Sequence, residues 1–450
     1  MIRTILGLFV LLLFGHPLAS AQASKRPNVL IIYADDLGTM DLGCLGQDNL
    51  QTPNLDRLAA GGLLLTQMYA PAPVCSASRV GLLTGRFPVR AGQPGNGALN
   101  AEEVTIAETF AAAGYRTGQV GKWHLGHSDS QNPGGQGFDD WFGHLGGCID
   151  NYSHFFYWNG PNRHDLFENG NEVFRGGEYF PDLMQQRCRS FIDAKDDRPW
   201  LLYWAFNSPH YPYQGTKRWL QHYASTPTPR REYSAFLSTM DETIGKVLGH
   251  LDASGQADST IVIFQADHGH STETRAFGGG GDAGVYRGAK FSLFEGGIRV
   301  PSIVRYPKKF PAGEKRDQFL TGCDWLPTLS QLCDVPLPTD TNDRKVNLDG
   351  DSVVDVLSKN VPGKSPQFYW HFGAGKHPQW AIRSGPWKLI GHPRDTSAAQ
   401  KEWVDGGRLP TERWLSNLDV DPSEATNLAA SHPEQVRRLE KIAEQYRSQW

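Results

Sequence analysis

Three apolar segments of the chain end in side chains that can bind a cation or transfer a proton. The segments and the residues that follow them are 28–34 with Asp35 and Asp36, 200–206 with His210, and 260–266 with Asp267 and His268. Continuous apolar runs of this length are typical of parallel strands covered on both faces by helices. Because ligands of open α/β sheets lie beyond the carboxyl ends of the strands, the sequence predicts one shared site at that edge.

The carboxylates of this edge indicate a divalent cation. Asp35 and Asp36 are adjacent, and neighbouring carboxylates raise each other's pKa unless a positive charge lies between them. Asp267 follows its segment in the same way, and His268 adds a nitrogen donor. Carboxylate oxygens favour Ca²⁺ or Mg²⁺ over Zn²⁺. Helix capping by Asp36 or Asp267 is the structural alternative.

Cys75 lies in the segment PAPVCSASRVGLLTG, residues 71–85, where a helix is expected to begin, and Arg79 follows one turn later. A helix start beside an arginine lowers the pKa of a thiol and attracts anions. A buried, inert thiol is the usual fate of a free cysteine. On its chemistry alone, Cys75 is a candidate thiolate nucleophile with a histidine as base.

The amino terminus has the pattern of a secretory signal peptide. Arg3 is followed by an apolar stretch over residues 5–15, and Ala21-Gln22-Ala23 fits a small-residue cleavage site. The apolar stretch is too short for a membrane span, although an uncleaved anchor is the alternative. The sequence therefore predicts a signal peptide over 1–23, a secreted or periplasmic protein, and no stable membrane insertion.

Export makes disulfides possible, but the sequence does not assign them. The six cysteines are Cys44, Cys75, Cys148, Cys188, Cys323 and Cys333. Cys323 with Cys333 is one conceivable pair, and Cys148 with Cys188 is another. If Cys75 is reserved for chemistry, at least one of the remaining five is unpaired.

Composition bounds the partners of the chain. Its 450 residues are 39% hydrophobic and 20% charged, with a net charge of −4 and no long run of like charge. This balance argues against a nucleic-acid partner. Thirteen Trp and fifteen Tyr suit stacking against sugars, although most such residues form core.

Periodicity predicts the elements around the strand-end residues. Helices are expected over 54–61, 103–113, 182–194, 231–251 and 432–449, and short strands over 114–126, 365–372, 379–385 and 387–391. Residues 127–180 and 413–429 are expected to be loop and turn-rich segments, and the glycine-rich stretch 276–290 is expected to wrap the site. A proline- and aspartate-rich linker begins near residue 335.

Together these patterns predict an α/β fold with a large mixed, mostly parallel sheet sandwiched by helices. A smaller C-terminal α+β subdomain is docked on it. The predicted boundaries are a catalytic domain over 24–335 and an antiparallel sheet with a helix over 336–450.

Seven segments of the chain resemble motifs of type I sulfatases of the alkaline phosphatase superfamily. CSASRVGLLTG resembles their Cys-x-(Pro or Ala)-x-Arg signature with its Leu-Thr-Gly tail, and NVLIIYADDLG resembles their first metal strand. GKWHLG, NSPHYPY, ADHGH and YRGAKFSLFEGGIRVP resemble the segments that carry the family's catalytic lysines and histidines and its second metal loop. LSNLDVDPSEATNLA resembles the closing motif, so the resemblance covers essentially the whole mature chain.

The resemblance implies an alkaline phosphatase-like fold and a role for each matching residue. It implies that Cys75 is oxidised to formylglycine by a formylglycine-generating maturation enzyme, and that the hydrated gem-diol is the nucleophile. The Ca²⁺ ligands that it implies are Asp35, Asp36, Asp267, His268 and the modified Cys75. Many members have Asn where His268 stands, and a subset has His.

The same resemblance implies the catalytic roles. Arg79 and Lys122 would stabilise the formylglycine and the sulfate charge. His124 would act as base on the gem-diol and later expel sulfate. His210 and Lys290 would bind sulfate oxygens and assist the leaving alcohol, with His210 as the acid.

The segments around the catalytic loops resemble those of secreted bacterial enzymes that desulfate polysaccharides. This implies a sulfated carbohydrate as substrate, with galactose or N-acetylgalactosamine units of a glycosaminoglycan, mucin or algal galactan. Candidate substrate contacts are Asn151, Tyr152, His154, Arg163, His270, Glu273 and Arg287.

Two further hypotheses compete with carbohydrate sulfatase activity. A phosphodiester or phosphonate hydrolase of the same superfamily would share the fold, and some of these relatives also use formylglycine. A catalytically inactive homologue that binds sulfated glycans is the third.

Overall fold

The computed structural model describes residues 26–158, 160–339, 346–363 and 366–449, and the predicted signal peptide, 1–23, lies outside them. The strands are β1 Asn28–Asp35, β2 Leu63–Leu65, β3 Met68–Tyr69, β4 Arg116–Lys122, β5 Asp140–His144, β6 Phe155–Phe156, β7 Arg163–His164, β8 Phe167–Glu168, β9 Asn171–Glu172, β10 Trp200–Pro209, β11 Thr260–Ala266, β12 Ser302–Arg305, β13 Glu314–Arg316, β14 Leu320–Thr321, β15 Gln367–Phe372, β16 Gln379–Ser384, β17 Trp387–Gly391 and β18 Arg413–Asn417. The helices are α1 Pro53–Ala60, α2 Cys75–Thr84, α3 Ile106–Ala112, α4 Phe180–Ile192, α5 Lys217–His222, α6 Arg230–Ala253, α7 Glu295–Ile298, α8 Trp325–Cys333, α9 Val354–Lys359 and α10 Pro433–Arg447.

A ten-stranded mixed sheet forms the centre of the fold. Its order is β13-β2-β12-β11-β1-β10-β4-β5-β8-β9. The five neighbours from β11 to β5 run parallel, whereas β12 and β8 pair antiparallel on either side of them. The central strands β1, β10 and β11 are buried along almost their whole length, as expected for strands with both faces covered.

Two groups of helices cover the sheet. Helix α6 contacts α1 and α4, and all three contact the sheet, whereas α2 contacts α3 and α8 in a second layer. Alternate side chains of a strand point to opposite faces of the sheet. On the face toward α2, the hydroxyl of Tyr33 hydrogen-bonds Ser78 and that of Tyr203 accepts from Arg79. The predicted fold class is therefore confirmed.

A second sheet, β15-β16-β17-β18, is antiparallel and lies in the C-terminal part of the chain. Helix α10 contacts β16 and β17, and Leu439 and Ala443 of its apolar face are fully buried against this sheet. This matches the expected antiparallel sheet with a closing helix. The domain boundary at residue 335 stays a prediction, and residues 340–345 of the expected linker lie outside the described ranges.

Most local expectations are met, including the short strands expected over 114–126, 365–372, 379–385 and 387–391, and the misses are strands inside segments predicted as loop or turn-rich. The helices expected over 54–61, 103–113, 182–194, 231–251 and 432–449 and the three long apolar strands are present. The segment 127–180, predicted as loop, contains β5, which joins the main sheet beside β4. The turn-rich segment 413–429 likewise begins with β18.

All six cysteines are free thiols in the described structure. Cys323 precedes α8 and Cys333 ends it. Nine helical residues rise roughly 13 Å along the axis, so these two thiols are held too far apart to form the bridge considered above.

A buried group of charges joins the C-terminal sheet to the main one. The ammonium of Lys388, on β17, lies 2.9 Å from Glu295 of α7 and 3.2 Å from Glu424, and all three side chains are fully buried. Glu424 also accepts a hydrogen bond from the backbone nitrogen of Glu295. Since α7 closes the loop that begins at Lys290, this contact also fixes one side of the strand-end site.

We expect Lys388→Met to destabilise the protein by about 3–5 kcal/mol, because it removes the ammonium shared by two buried carboxylates, of which Glu295 keeps an ion pair with Arg299 at 3.5 Å. Urea unfolding followed by tryptophan fluorescence measures the loss. Lys359→Met is the matched control: Lys359 pairs with Asp355 on the surface of α9, where both side chains are largely exposed, and the expected change is below about 0.5 kcal/mol. Equal stability of the two variants would contradict the structural role of Lys388.

Candidate active site and metal centre

Four neighbouring strands deliver the predicted site residues to one edge of the main sheet. Asp35 and Lys122 are the last residues of β1 and β4, and His210 and Asp267 directly follow β10 and β11. These strands lie side by side in the order β11-β1-β10-β4. Parallel neighbours end at the same edge, so residues far apart in sequence meet there.

The centre of the site is a group of four buried side chains with possible ligand atoms. The carboxylates of Asp35 and Asp267, the thiol of Cys75 and the ring of His268 place one such atom each within 4.8 Å of one another. Asp36 is next to them, with Oδ1 3.5 Å from Nε2 of His268. Oδ1 of Asp35 is buried and accepts no hydrogen bond from any described residue, which leaves it available to a cation.

Three cationic side chains surround these carboxylates. Lys122 Nζ lies 2.6 Å from Asp35, Arg79 Nη2 lies 3.1 Å from Asp267, and Lys290 Nζ lies 3.0 Å from Asp36. All six side chains are almost completely buried. Each pair offsets the cost of burying its charges, so the site holds fixed positive charge beside the ligand group.

The pKa values of the carboxylates differ although they lie side by side. Burial raises the pKa of Asp35, but Lys122, His210 and Arg79 outweigh it and hold that pKa well below its usual range. Burial raises the pKa of Asp36, against Lys290, and Asp35 raises it further. Burial also raises the pKa of Asp267, to about 7. A divalent cation among them would remove this conflict.

The ring of His268 is oriented as a metal ligand would be. Its Nδ1 lies 2.8 Å from the carbonyl oxygen of Gly269, to which it can donate, leaving Nε2 directed at the ligand group. Nε2 lies 3.2 Å from the Cys75 thiol and 3.5 Å from Asp267. Burial lowers the pKa of His268, yet Asp267 and Cys75 raise it to about 9. Metal binding at Nε2 would require the unprotonated nitrogen. Three carboxylates and one such histidine fit a divalent cation.

Cys75 is the first residue of α2, a helix in which every residue is buried. No side chain caps this helix start, and its free backbone N–H groups favour negative charge. Burial raises the pKa of the Cys75 thiol, but Lys122 and Lys290 lower it to about 6. The residue therefore lies in an electropositive site suited to an anionic group.

The histidines that flank the centre are neutral at pH 7. Burial lowers the pKa of His124 well below its usual range, and the charges of Lys122 and Arg79 lower it further. His124 adopts a φ of 61°, and its ring lies against Gly147, where an added Cβ would stand 2.8 Å from the ring. Burial and Lys290 likewise lower the pKa of His210, whose Nε2 lies 3.6 Å from Asp36.

The predicted substrate contacts fall into different environments, and their contact with substrate stays a prediction. Glu273 reaches the centre, with Oε2 3.2 Å from Lys290. Arg287 is directed at the C-terminal sheet, where it pairs with Asp395 at 2.6 Å and covers the ring of Trp414.

The other candidates lie in the segment after β5 and in the second metal loop. Asn151 is buried and its amide is occupied, since it donates to Gln214 and accepts from Asn207. Tyr152 stacks on Tyr179, and Arg163 covers the ring of Phe156. His154 and His270 are buried, and burial lowers the pKa of His270 to about 4.

Sequence reasoning missed two tyrosines that support the centre. The hydroxyl of Tyr203, on β10, lies 3.2 Å from Nη1 of Arg79. Tyr211 donates to Glu273 at 3.2 Å and stacks on the ring of His210. Tyr203 could have been identified because it carries a hydroxyl group within the otherwise apolar segment 200–206. Tyr211 could have been identified because it directly follows His210 in the sequence.

The family comparisons cover most of the chain. Residues 27–335 match the Sulfatase family, and residues 281–445 match the family described as "N-sulphoglucosamine sulphohydrolase, C-terminal". The two matches overlap at the segment that carries Lys290.

Two curated relatives align along almost their whole length. Arylsulfatase A of Homo sapiens is 33% identical, with 94% of this chain and 88% of the relative aligned. N-acetylgalactosamine-6-O-sulfatase of Bacteroides thetaiotaomicron is 30% identical, with 94% of each chain aligned.

A solved structure has a similar fold throughout. The crystal structure of Ps i-CgsB in complex with k-i-k-neocarrahexaose superposes with a TM-score of 0.82 at 26% identity, covering 94% of this chain and 93% of that one.

Across the described ranges, no helix has the length and apolar character needed to span a bilayer.

We expect CaCl₂ to raise the thermal midpoint, because a cation that binds only the folded state stabilises it by about 2.7 kcal/mol at 100 times Kd. Differential scanning fluorimetry with CaCl₂, MgCl₂ and EDTA measures the shift, which should reach a few degrees and reverse with EDTA. Asp267→Asn should abolish it. Asp258→Asn, at an exposed carboxylate, is the control and should keep it. The same calcium shift in Asp267→Asn as in the unchanged protein would rule out this site.

Proposed function

The chain belongs to the sulfatase family and is a sulfuric ester hydrolase, and we propose that it removes sulfate from carbohydrate with a nucleophile derived from Cys75. One observation carries this proposal. The Cys75 side chain lies at the positive start of a buried helix, 3.2 Å from His268 and within 4.8 Å of the Asp35 and Asp267 ligand atoms. A sulfate ester placed there would meet a nucleophile, a cation site and fixed positive charges together.

We propose that Cys75 is matured to formylglycine by a formylglycine-generating enzyme. The hydrated aldehyde supplies one hydroxyl that attacks sulfur and a second whose deprotonation allows sulfate to leave. The surroundings of Cys75 support this proposal: burial excludes competing reactions, and the helix start faces the position of the charged group. Arg79 supports the same segment from one turn further on, where it binds Asp267 and the carbonyl of Lys122.

We propose Ca²⁺ as the resident cation, held by Asp35, Asp36, Asp267 and His268. Ca²⁺ accepts many oxygen ligands in flexible geometry, which suits three carboxylates from two strand ends. When bound, the ion would supply positive charge to the sulfate oxygens and orient the nucleophile.

Lys122 and Lys290 would bind the non-bridging sulfate oxygens. Both ammonium groups are buried and now pair with Asp35 and Asp36. With Asp35 and Asp36 holding a cation, both ammonium donors would be available to the substrate anion. Fixed donors of this kind stabilise charge as it shifts in the transition state without reorganisation of water.

His124 and His210 would transfer the protons. The low pKa of His124 keeps its ring neutral at pH 7, as a base requires. His210 is also neutral in the free protein. Its role as acid needs the negative charge of the bound ester, which favours the protonated ring.

We propose that the substrate carries sulfated galactose or N-acetylgalactosamine units, as in glycosaminoglycans, mucins or algal galactans. The relative that is named for N-acetylgalactosamine 6-O-sulfate and the similar structure in complex with a neocarrahexaose support this substrate class. We further propose export to the periplasm or the exterior, where such polymers are found, through the signal peptide predicted over 1–23.

Cys75 should be found as an aldehyde in protein from its native host or from cells that express the maturation enzyme. Peptide mass spectrometry across residues 71–85 measures the loss of sulfur and the gain of a carbonyl, and Cys148 provides an unmodified control thiol. Matured protein should release sulfate from 4-nitrophenyl sulfate, and Cys75→Ala should not. Intact cysteine in active protein would overturn the formylglycine proposal, and hydrolysis of phosphodiesters where all sulfate esters fail would favour a phosphodiesterase.

His124→Ala should lower kcat by about 10² to 10⁴, the range expected for loss of a general base, with little change in KM. The low pKa of His124 further predicts that activity is retained at pH 6.5 and falls only at more acidic pH, where the ring takes up a proton. His127→Ala is the control, because His127 lies on the same loop but is exposed. Steady-state kinetics from pH 4 to 8 test both points, and an unchanged kcat in His124→Ala would remove this residue from catalysis.

A further inference from the structure

An aromatic surface leads outward from the proposed sulfate site. The ring of Tyr211 stacks on His210, with 4.2 Å between centroids, and its centroid lies 5.9 Å from the ammonium of Lys290. Trp158 stacks on Tyr211 in turn, at 6.0 Å and an interplanar angle of 27°. Tyr211 is buried, whereas Trp158 is only partly covered. The series therefore extends from the buried centre to the rim of the site.

The guanidinium of Arg275 lies on this rim. It covers the ring of Trp158 at 4.5 Å, and the residue is exposed. In the described parts of the chain this guanidinium forms no hydrogen bond and no ion pair. Arg218 is a useful comparison, because its guanidinium also covers a tryptophan, Trp219, at 4.9 Å but is paired with Glu242 at 3.2 Å. Arg275 thus presents an unpaired planar cation that could bind a carboxylate or a sulfate through two hydrogen bonds.

The turn that carries Arg275 is fixed to the C-terminal part of the chain. The backbone nitrogen of Thr274 donates to the side chain of Gln400 at 2.9 Å, and the backbone nitrogen of Gln400 donates to the carbonyl of Thr272 at 2.8 Å. Glu273 lies between these two threonines and is held by an ion pair with Lys290 at 3.2 Å. The backbone at Arg275 is therefore held in place before any ligand arrives, so less conformational freedom is lost on binding.

Tyr157 contacts this aromatic series and lies near both Lys290 and Arg275. The hydroxyl of Tyr157 donates to the carbonyl of Tyr211 at 2.8 Å. Burial and the thiol of Cys148 raise the pKa of Tyr157, whereas the charges of Lys290 and Arg275 both act to lower it. The rings of Tyr211 and Trp158 link Lys290 to Arg275. A ligand whose sulfate reaches Lys290 would therefore extend past these two rings toward Arg275.

We propose that Arg275, positioned by the ring of Trp158, binds an acidic group, either a carboxylate or a sulfate, on the sugar next to the one that carries the reacting sulfate. This rests on the proposed function, because the reacting sulfate defines where the neighbouring sugar lies. The preferred substrate is then a polyanionic glycan with acidic groups on adjacent sugars. A glycan with one isolated sulfate would bind less tightly.

Binding to the full-length Cys75→Ala protein tests this proposal without turnover. The probes are three disaccharides of sulfated N-acetylgalactosamine, whose second sugar is a hexuronate, its carboxyl-reduced form, or the carboxyl-reduced form carrying a sulfate. Isothermal titration calorimetry should give about fivefold to tenfold tighter binding for the two acidic probes than for the neutral one, as expected for a partly exposed charge-assisted contact. The two acidic probes separate carboxylate from sulfate as the group that is recognised.

Adding Arg275→Gln to the Cys75→Ala protein should remove the preference for the acidic probes. Trp158→Ala should weaken the preference and Trp158→Phe should restore it, because a positioning ring can be replaced by another ring. Arg218→Gln is the matched control and should leave the preference unchanged. Equal affinity for all three probes, or a preference that survives Arg275→Gln, would overturn the proposal. Failure of the matured protein to hydrolyse 4-nitrophenyl sulfate would instead count against the proposed function, since the binding preference is measured independently.

Discussion

The burial of three carboxylates at one edge of a sheet is the constraint on which the rest of the site depends. Asp35, Asp36 and Asp267 are almost inaccessible to water, and an uncompensated charge in such a place is very costly. Lys122, Arg79 and Lys290 each pair with one of them. A divalent cation shared among the carboxylates would release these cationic side chains toward an anionic substrate. The same negative charges thus hold in place both the candidate metal site and the groups proposed to bind sulfate.

The second sheet stabilises this arrangement from one side. Lys290 lies in the loop that ends at α7, and α7 is joined to the C-terminal sheet through Glu295 and Lys388. The C-terminal segment also reaches the second metal loop, where Thr272 donates to the carbonyl of Thr396. The C-terminal part of the chain thus contacts two loops of the candidate site. The second family match, over residues 281–445, covers both the loop that carries Lys290 and this sheet.

The sequence predicts the strand-end residues well, because long apolar strands and the geometry of parallel sheets place Asp35, His210 and Asp267 at one edge without knowledge of the partners. It does not predict the ion pairs, since Lys290 and Asp36 are 254 residues apart and meet only through the fold. Strand β5 was missed because its five residues depend on pairing with β4 and β8 rather than on periodicity. The contact of Trp158 with Arg275 joins two irregular loops, and no pattern in the sequence indicates it.

Diffraction from crystals grown with CaCl₂ and inorganic sulfate tests the central claim most directly. We predict electron density for one cation bound by oxygens of Asp35, Asp36 and Asp267. We also predict a sulfate beside it that contacts Lys122 and Lys290, both released from their present carboxylate partners. An electron-density map without a cation at this position, in which the Lys122–Asp35 and Lys290–Asp36 ion pairs persist, would contradict the account.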